Sequence, residues 1–168
     1  MKTKLFVFFM VFFVVAGCDW LSKPSGVLLD RHITPEIKTY IYANVSNQLA
    51  QEGVIAYYDT TISLDNSESY ILTNKSLTIF CDGFLGDGYV GTFDCLGTVP
   101  HGTNKIYLDD IVAVYESNET YDGSSCASNF QELCVTVQTN NKDYFLMFAY
   151  YNNGPLFLSR LKEALYSF

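Results

Sequence analysis

Two histidines, His32 and His101, are the only imidazole groups that the chain offers for acid–base chemistry. A serine or cysteine nucleophile needs such a base within hydrogen-bond reach, and an acid that orients the base. No nucleophile motif accompanies either histidine, and His101 follows Pro100 in a glycine-rich segment, as a surface loop residue does. The sequence therefore predicts a protein that is not an enzyme. A pocket that gathers His101 with two carboxylates would favour the enzyme alternative.

Three aspartates of the same segment, Asp82, Asp87 and Asp94, have the oxygen ligands that calcium prefers. Their spacing misses the pattern of a calcium-binding EF-hand loop. Calcium is the alternative that these residues leave open. We expect no metal and no cofactor.

The N-terminus has the features of an export signal. Lys2 and Lys4 precede an uncharged apolar run from Leu5 to Gly17, which is shorter than the roughly 20 residues that span a bilayer. The run ends in Val15, Ala16, Gly17 and Cys18, which resembles a bacterial lipobox. The resemblance implies cleavage before Cys18 and acylation of its thiol, for example with palmitate. A secreted protein in which Cys18 has no role is the alternative.

Asp19, directly after that cysteine, resembles the signal that retains lipoproteins at the inner membrane of enteric bacteria. We therefore expect a lipid-anchored protein of the cell envelope, at the inner membrane and facing the periplasm. Eighteen acidic side chains remain against eight basic ones once Lys2 and Lys4 are removed with the signal. Such a surface repels nucleic acid and anionic headgroups, so neither is expected as a ligand.

Four further cysteines, Cys81, Cys95, Cys126 and Cys134, follow the signal. An even number of cysteines in an exported domain indicates disulfide bonds. Pairing 81–95 and 126–134 is favoured because each pair brackets a segment rich in Gly, Asp and Ser, although all three connectivities are open. A metal site is the alternative, but the spacing lacks CxxC pairs and nearby histidines.

The chain divides into a signal peptide at 1–17, a lipidated tether at 18–33 and a globular domain at 34–168. Thr34 as N-cap and Pro35 at the first helical position predict a helix over 34–52. Its buried stripe has four-residue spacing, and Gly53 ends it. The stripe consists of Ile37, Ile41, Val45 and Leu49.

From Val54 the apolar period changes to two, which predicts strands. The first is long and places Val54, Ala56 and Tyr58 on one face. A second helix over 153–167, capped by Asn153, follows the last strand. The predicted strands cover 54–64, 69–73, 76–81, a short stretch near 89–95, 106–108, 111–116, 133–139 and 143–150. Tight turns are predicted at Asn74–Lys75 and at Asn140–Asn141. The helix stripe is Leu158, Leu161, Ala164 and Leu165.

Three runs resemble segments of bacterial PH-like and GRAM-like domains: YILTNKSLTIF at 70–80, IYLDDIVAVY at 106–115, and VTVQTNNKDYFLMFAYYNNGPLFLSRLKEAL at 135–165. The resemblance implies an α+β, mostly β fold: a small antiparallel PH-like barrel with a preceding N-terminal helix and a C-terminal capping helix. The loop at 65–68, Asp-Asn-Ser-Glu, has no Lys or Arg. Phosphoinositide binding is therefore not expected.

These features predict a non-enzymatic protein-binding module, anchored to the membrane, whose partner is another envelope protein. The glycine-rich segment 82–104 is its expected contact surface, with Phe84 and Tyr89 as partner-binding residues, because recognition concentrates in loops held by a rigid scaffold. The alternative is an envelope interference or immunity lipoprotein, such as an exclusion factor of phage or plasmid origin.

Overall fold

Eight strands form two antiparallel sheets in the computed structural model, which describes residues 26–60, 68–81, 102–117, 132–149 and 153–167. The first sheet has the order β1-β2-β3-β4-β5 and the second β6-β7-β8. The strands are β1 Val27–Leu29, β2 Val54–Asp59, β3 Glu68–Thr73, β4 Ser76–Cys81, β5 Gly102–Tyr107, β6 Ile111–Ser117, β7 Glu132–Thr139 and β8 Asp143–Ala149.

Helical segments lie before β2, between β5 and β6, and after β8. They are a 3-10 turn Asp30–His32, α1 Pro35–Tyr40, a wider π-helical turn Ile41–Val45, α2 Leu49–Glu52, a second 3-10 turn Leu108–Asp110, and α3 Gly154–Tyr166. The predicted α+β, mostly β class is confirmed. Within the described ranges, no strand pairing joins the two sheets.

Two tight turns have the same side-chain support. Thr73 precedes the Asn74–Lys75 turn, and its Oγ1 accepts hydrogen bonds from the backbone N–H of Lys75 at 3.1 Å and Ser76 at 2.9 Å. Thr139 precedes the Asn140–Asn141 turn, and its Oγ1 accepts hydrogen bonds from the backbone N–H of Asn141 at 3.3 Å and Lys142 at 3.2 Å. A threonine hydroxyl that satisfies turn N–H groups favours the turn over a continued strand. Both turns were predicted from the sequence and are confirmed.

Four aromatic rings form the centre of the core between the sheets. Tyr58 and Tyr70 come from the first sheet, Phe148 from the second, and Phe157 from α3. Phe148 lies 4.9 Å from the Tyr58 ring, 5.3 Å from the Tyr70 ring and 5.3 Å from the Phe157 ring, centroid to centroid. The hydroxyl of Tyr70 also accepts a hydrogen bond from the backbone N–H of Met147 in β8 at 3.1 Å. Both sheets and α3 are therefore joined by one buried cluster.

The predicted N-terminal helix is divided in two. Its start is confirmed, because Thr34 Oγ1 accepts from the N–H of Ile37 at 3.4 Å and Pro35 is at the first position. Gly53, with φ +74°, ends it as expected. However, Ser46 is extended, and its hydroxyl accepts from the N–H of Gln48 at 3.3 Å. A serine that hydrogen-bonds nearby backbone competes with the helix, which explains the break.

The apolar stripe of this segment nevertheless packs as predicted, against the outer face of the first sheet. Ile41 and Leu49 are fully buried there with Tyr57 and Ile71. Ile37 and Val45 are partly buried against the same cluster. The five-stranded sheet is thus covered on both faces.

Residues 26–33 were expected to belong to the tether, and that prediction is wrong. Val27, Leu28 and Leu29 form β1 and pair with Tyr58, Tyr57 and Ala56 of β2. Asp30 follows, and its carboxylate lies 3.2 Å from the Arg160 guanidinium of α3. A three-residue edge strand has too short a pattern to distinguish it from a linker, and its partner lies almost 30 residues further along the chain.

Val54 does not share a face with Ala56 and Tyr58, contrary to the alternation expected from the sequence. A register shift between Val54 and Ala56 marks a β-bulge in the pairing with β3. A bulge adds one residue to one strand and reverses the alternation beyond it. Val54 therefore packs under the N-terminal helical segment, while Ala56 and Tyr58 face the second sheet. The predicted continuation of this strand to Leu64 and the short strand near 89–95 lie outside the described residues.

The C-terminal helix buries Leu158, Leu161 and Ala164 of the predicted stripe together with Phe157, and Leu165 is partly buried. The start of the helix differs from the prediction. Asn153 makes no side-chain capping bond; its φ of +61° places it in the left-handed region, which asparagine tolerates better than most residues. The next residue, Gly154, has no room for a side chain, because a Cβ there would lie 2.4 Å from the Cβ of Phe148. Close approach of the helix start to the aromatic cluster therefore requires glycine.

Two leucines of α3 allow a matched test of this packing. Leu161 is fully buried, whereas Leu156 is 47% exposed. We expect Leu161→Ala to lower the free energy of unfolding by about 2–5 kcal/mol, because it leaves a cavity between the sheets. Leu156→Ala should change it by about 0.5 kcal/mol or less. Urea unfolding of both variants measures this, and equal effects would contradict the assigned helix face.

Candidate functional site

Most residues predicted to have a functional role lie outside the described part of the chain. They are Cys18, Phe84, Tyr89, Cys95 and Cys126. The lipid anchor at Cys18 and partner binding by Phe84 and Tyr89 therefore stay predictions. Within the described ranges, no helix is both long enough and apolar enough to cross a bilayer.

The residues considered for acid–base or metal chemistry are not brought together in the described part of the chain. His32 is exposed in the 3-10 turn after β1. His101 and the three aspartates considered for calcium lie outside the described residues. Among the residues that the structure does describe, no group of three or more His, Cys, Asp or Glu side chains is arranged to hold a metal ion.

Cys81 and Cys134 are each disulfide-bonded. Cys81 is the last residue of β4, and Cys134 lies in β7; both are almost completely buried. The pairing of Cys81 with Cys95 and of Cys134 with Cys126 stays a prediction, because Cys95 and Cys126 lie outside the described residues.

A buried polar network surrounds Glu52 at the end of α2. One carboxylate oxygen of Glu52 forms an ion pair with Lys105 Nζ of β5. The other accepts hydrogen bonds from Thr73 Oγ1 at 2.8 Å and from Ser76 Oγ at 2.7 Å. The Glu52 side chain is 11% exposed, so these partners replace most of its water.

Two opposing effects act on this carboxyl. Burial raises the pKa of Glu52, and the hydrogen bonds from its neighbours together with the charge of Lys105 lower it by more. The net pKa lies below the ordinary value of 4.5, so Glu52 is ionised at neutral pH. Because both of its oxygens are occupied by side chains of the protein, the group is suited to holding α2 on the sheet and not to proton transfer.

Sequence reasoning missed this network. The partners of Glu52 lie 21, 24 and 53 residues away along the chain. Only the Thr73 and Ser76 pair had a local signal, since both flank the predicted Asn74–Lys75 turn. The pairing of β4 with β5, which places Lys105 near Glu52, depends on contacts across the sheet.

The most exposed apolar side chains of the strands lie around the corner from β5 to β6. Tyr107 is 53% exposed, Val112 60% and Tyr115 45%. Val112 lies at a register shift in the pairing of β6 with β7, which takes it out of the regular alternation. We call Val112 and Tyr115, together with the edge of β6 from Ile111 to Glu116, the β6 surface. Among the described strands, β6 pairs with β7 alone.

Acidic residues flank this surface along the chain. Asp109 and Asp110 lie in the 3-10 turn between Tyr107 and β6, and Glu116 lies near the end of β6; all three are exposed. Lys105 is directed towards Glu52 and also lies 5.1 Å from the centre of the Tyr107 ring. The surface therefore combines exposed apolar groups, strand-edge backbone and negative charge. Those features suit recognition of an extended, positively charged segment.

Comparisons of this chain with protein-family models, with curated proteins and with solved structures found no match.

Replacing Glu52 tests the polar network. Glu52→Gln should lower the free energy of unfolding by about 1–3 kcal/mol at pH 7, because it leaves Lys105 without its ionic partner. Since folding lowers the pKa of Glu52, its ionised form contributes stability above pH 4.5, and this contribution is lost as the pH falls through the folded pKa. The difference between wild type and variant should accordingly shrink below pH 4.5.

Glu163→Gln is the matched control, because Glu163 pairs with Arg160 but its side chain is 58% exposed. It should change the free energy of unfolding by about 0.5 kcal/mol or less. Urea unfolding at a series of pH values measures both variants. A Glu52→Gln effect that is as small as the control, or that grows on acidification, would contradict the structural role of the ion pair.

Proposed function

We propose that the chain is a lipoprotein of the bacterial cell envelope, anchored through Cys18, whose domain binds another envelope protein and has no catalytic activity. The observation that carries the binding role is the β6 surface: exposed Val112 and Tyr115 on a packed scaffold, along a strand that pairs with β7 alone among the described strands. The anchor is supported by the sequence from Lys2 to Cys18.

The anchor accounts for a domain that is acidic and yet resides at a membrane. Each buried acyl CH₂ contributes about 0.8 kcal/mol, so several chains on one cysteine hold a protein durably. Electrostatic attraction to anionic lipids is not needed, and the excess of acidic residues would oppose it. Asp19 supports retention at the inner membrane, with the domain facing the periplasm.

The order of elements supports a PH-like domain. Four consecutive strands, β2 to β5, pair in sequence order, and three more, β6 to β8, form the second sheet. The C-terminal helix α3 then packs between them, since its buried residues share one core with both sheets. In this proposal β1 and the N-terminal helical segment are additions on the outside of the first sheet.

Partner binding uses strand-edge backbone for affinity and side chains for selectivity. An added strand satisfies the unpaired N–H and C=O groups of an edge. Tyr115 and Val112 supply apolar contacts, and the flanking acids Asp109, Asp110 and Glu116 favour Lys or Arg in the partner. The segment 82–104 with Phe84 and Tyr89 remains a second proposed contact.

Metabolic labelling with a fatty-acid analogue tests the anchor. The wild-type chain should be labelled, and Cys18→Ala should be unlabelled and released from the membrane, because only this thiol accepts lipid in the lipobox reading. Ser22→Ala, which leaves the lipobox intact, should behave as wild type. Label that persists in Cys18→Ala would show that the lipid is elsewhere or that the anchor is wrong.

Photo-crosslinking in intact envelopes tests the binding surface. A benzophenone side chain at Tyr115 should give a discrete adduct with one envelope protein, and the same group at Tyr166, which is 84% exposed on α3, should not. Val112→Lys should reduce the Tyr115 adduct at least tenfold, because it replaces an apolar contact with a positive charge that repels a basic partner. Its melting temperature should stay near that of wild type, since Val112 is exposed. Equal adducts from both positions would contradict the proposal.

A further inference from the structure

The start of α3 places two conflicting demands on the residues that form it. Asn153 has φ +61° and ψ +30°, in the left-handed region where asparagine is several-fold enriched. Gly154 is buried, and a Cβ on it would lie 2.4 Å from the Cβ of Phe148 and 3.4 Å from Cδ2 of Leu133. The packing of the helix start thus selects an Asn-Gly dipeptide, and this dipeptide is chemically reactive.

The reaction of an Asn-Gly dipeptide needs only water. The backbone nitrogen of Gly154 attacks the side-chain carbon Cγ of Asn153, a C–N bond forms, the nitrogen loses its proton to water, and the side-chain amide leaves as ammonia. Water then opens the five-membered imide at either carbonyl, which leaves aspartate or isoaspartate. Glycine favours the attack, because it has no side chain to hinder the nitrogen. Asn153–Gly154 is therefore a candidate site of spontaneous modification.

The backbone conformation of Asn153 keeps the two reacting atoms apart. Closure of the imide ring requires the Gly154 nitrogen and the Asn153 Cβ to lie on the same side of the Cα–C bond of Asn153. In an L-residue, ψ +30° places them on nearly opposite sides of that bond. The side chain of Asn153 is exposed and makes no capping bond, so solvent reaches its amide but the nitrogen does not. Attack therefore requires a large rotation about ψ.

The packing of the first turn of α3 opposes this rotation. The N–H of Leu156 donates to the carbonyl of Asn153 at 2.9 Å, which joins this peptide unit to the turn. Phe157, in the same turn, is fully buried, and its ring centre lies 5.3 Å from that of Phe148. Rotation about ψ of Asn153 changes the direction in which the chain enters the helix, and it therefore pulls against these contacts.

We propose that Asn153–Gly154 is a site of spontaneous deamidation that the fold holds closed, and that it reacts when the first turn of α3 separates from Phe148. Local openings of this kind occur in native proteins at a lower free energy than complete unfolding. The extent of modification then records how often α3 opens. This inference is independent of the proposed anchor and of the β6 surface.

The two products differ in their effect on α3. Aspartate at position 153 keeps the length of the main chain and adds a negative charge at the N-terminus of the helix, where the helix dipole favours it. Isoaspartate adds a methylene group to the main chain, directly before Gly154, which has no room for a Cβ. Because a close-packed interior resists inserted atoms, isoaspartate weakens the packing of α3 and aspartate does not.

Peptide mapping by mass spectrometry tests the site, after incubation of the full chain in detergent at neutral pH. Asn153 should react at least about tenfold faster in a chain unfolded in guanidinium chloride than in the folded chain. Asn74 and Asn140 are internal controls, because they are exposed but are followed by Lys75 and Asn141, whose side chains hinder the attacking nitrogen. An unfolded chain in which Asn153 reacts no faster than these controls would refute the site.

The two leucine variants of α3 test the dependence on opening. In the folded chain, Leu161→Ala should raise the rate at Asn153 at least about tenfold, because it loosens the packing of the helix. Leu156→Ala should leave the rate within about twofold of wild type, because Leu156 is exposed. Equal rates in both variants, or a folded wild type that reacts as fast as the unfolded chain, would overturn the protection by α3.

Melting temperatures test the effect of the two products. Asn153→Asp should melt within about 2 °C of wild type. Protein that has deamidated during incubation is separated from wild type by its added charge, and mapping confirms its isoaspartate. It should melt at least about 4 °C below Asn153→Asp. Equal melting temperatures would overturn the proposed effect of isoaspartate on the helix start.

Discussion

Burial of Phe148 against Tyr58, Tyr70 and Phe157 is the constraint on which the remaining packing depends. The four rings come from both sheets and from α3, so removing water from them requires all three layers to meet at one point. Aromatic pairs at such distances contribute about 0.5–1.5 kcal/mol beyond the area they bury. The hydrogen bond from Met147 N–H to Tyr70 Oη adds a directional link between the sheets and restricts how they slide on each other. The same constraint explains why residue 154 is glycine, since the start of α3 lies too close to Phe148 for a side chain at this position.

The outer face of the first sheet is packed in a second, more polar way. Apolar residues of the N-terminal helical segment cover Tyr57 and Ile71, and Glu52 then forms polar contacts with Thr73, Ser76 and Lys105. A buried carboxylate is stable only when charge and hydrogen bonds replace its water. The N-terminal segment is thereby held in one register on the sheet. Because both faces of this sheet are covered, its free groups are confined to its edges and ends.

The second sheet contrasts with the first, and this contrast is what supports a binding role. Its inner face is packed by Val135, Val137, Leu146 and Phe148, while its first strand leaves apolar side chains exposed and pairs with β7 alone among the described strands. Natural proteins commonly protect such edges with charge. Asp109, Asp110 and Glu116 place negative charge beside this strand, which in the proposed role favours a basic partner. A rigid core beside an open edge is the arrangement that strand addition requires.

Local patterns in the sequence were sufficient for the elements whose signals lie within a few residues. Capping, turn chemistry and periodicity act over a few neighbouring residues. The elements predicted from them are the helix start at Thr34–Pro35, both Thr-supported turns, strands β3, β4 and β6 to β8, and the apolar stripe of α3. The lipobox and the cysteine pattern are likewise local, and they remain the basis of the anchor and disulfide predictions.

Tertiary structure decided the rest. Four features depend on partners that are distant in sequence. They are the pairing of Val27–Leu29 as a strand, the face on which Val54 lies, the ion pair of Lys105 with Glu52, and the exposure of Val112 and Tyr115 within an apolar run. The physical reason is that pairing register and burial are set by which strands become neighbours, and no short stretch of sequence contains that information.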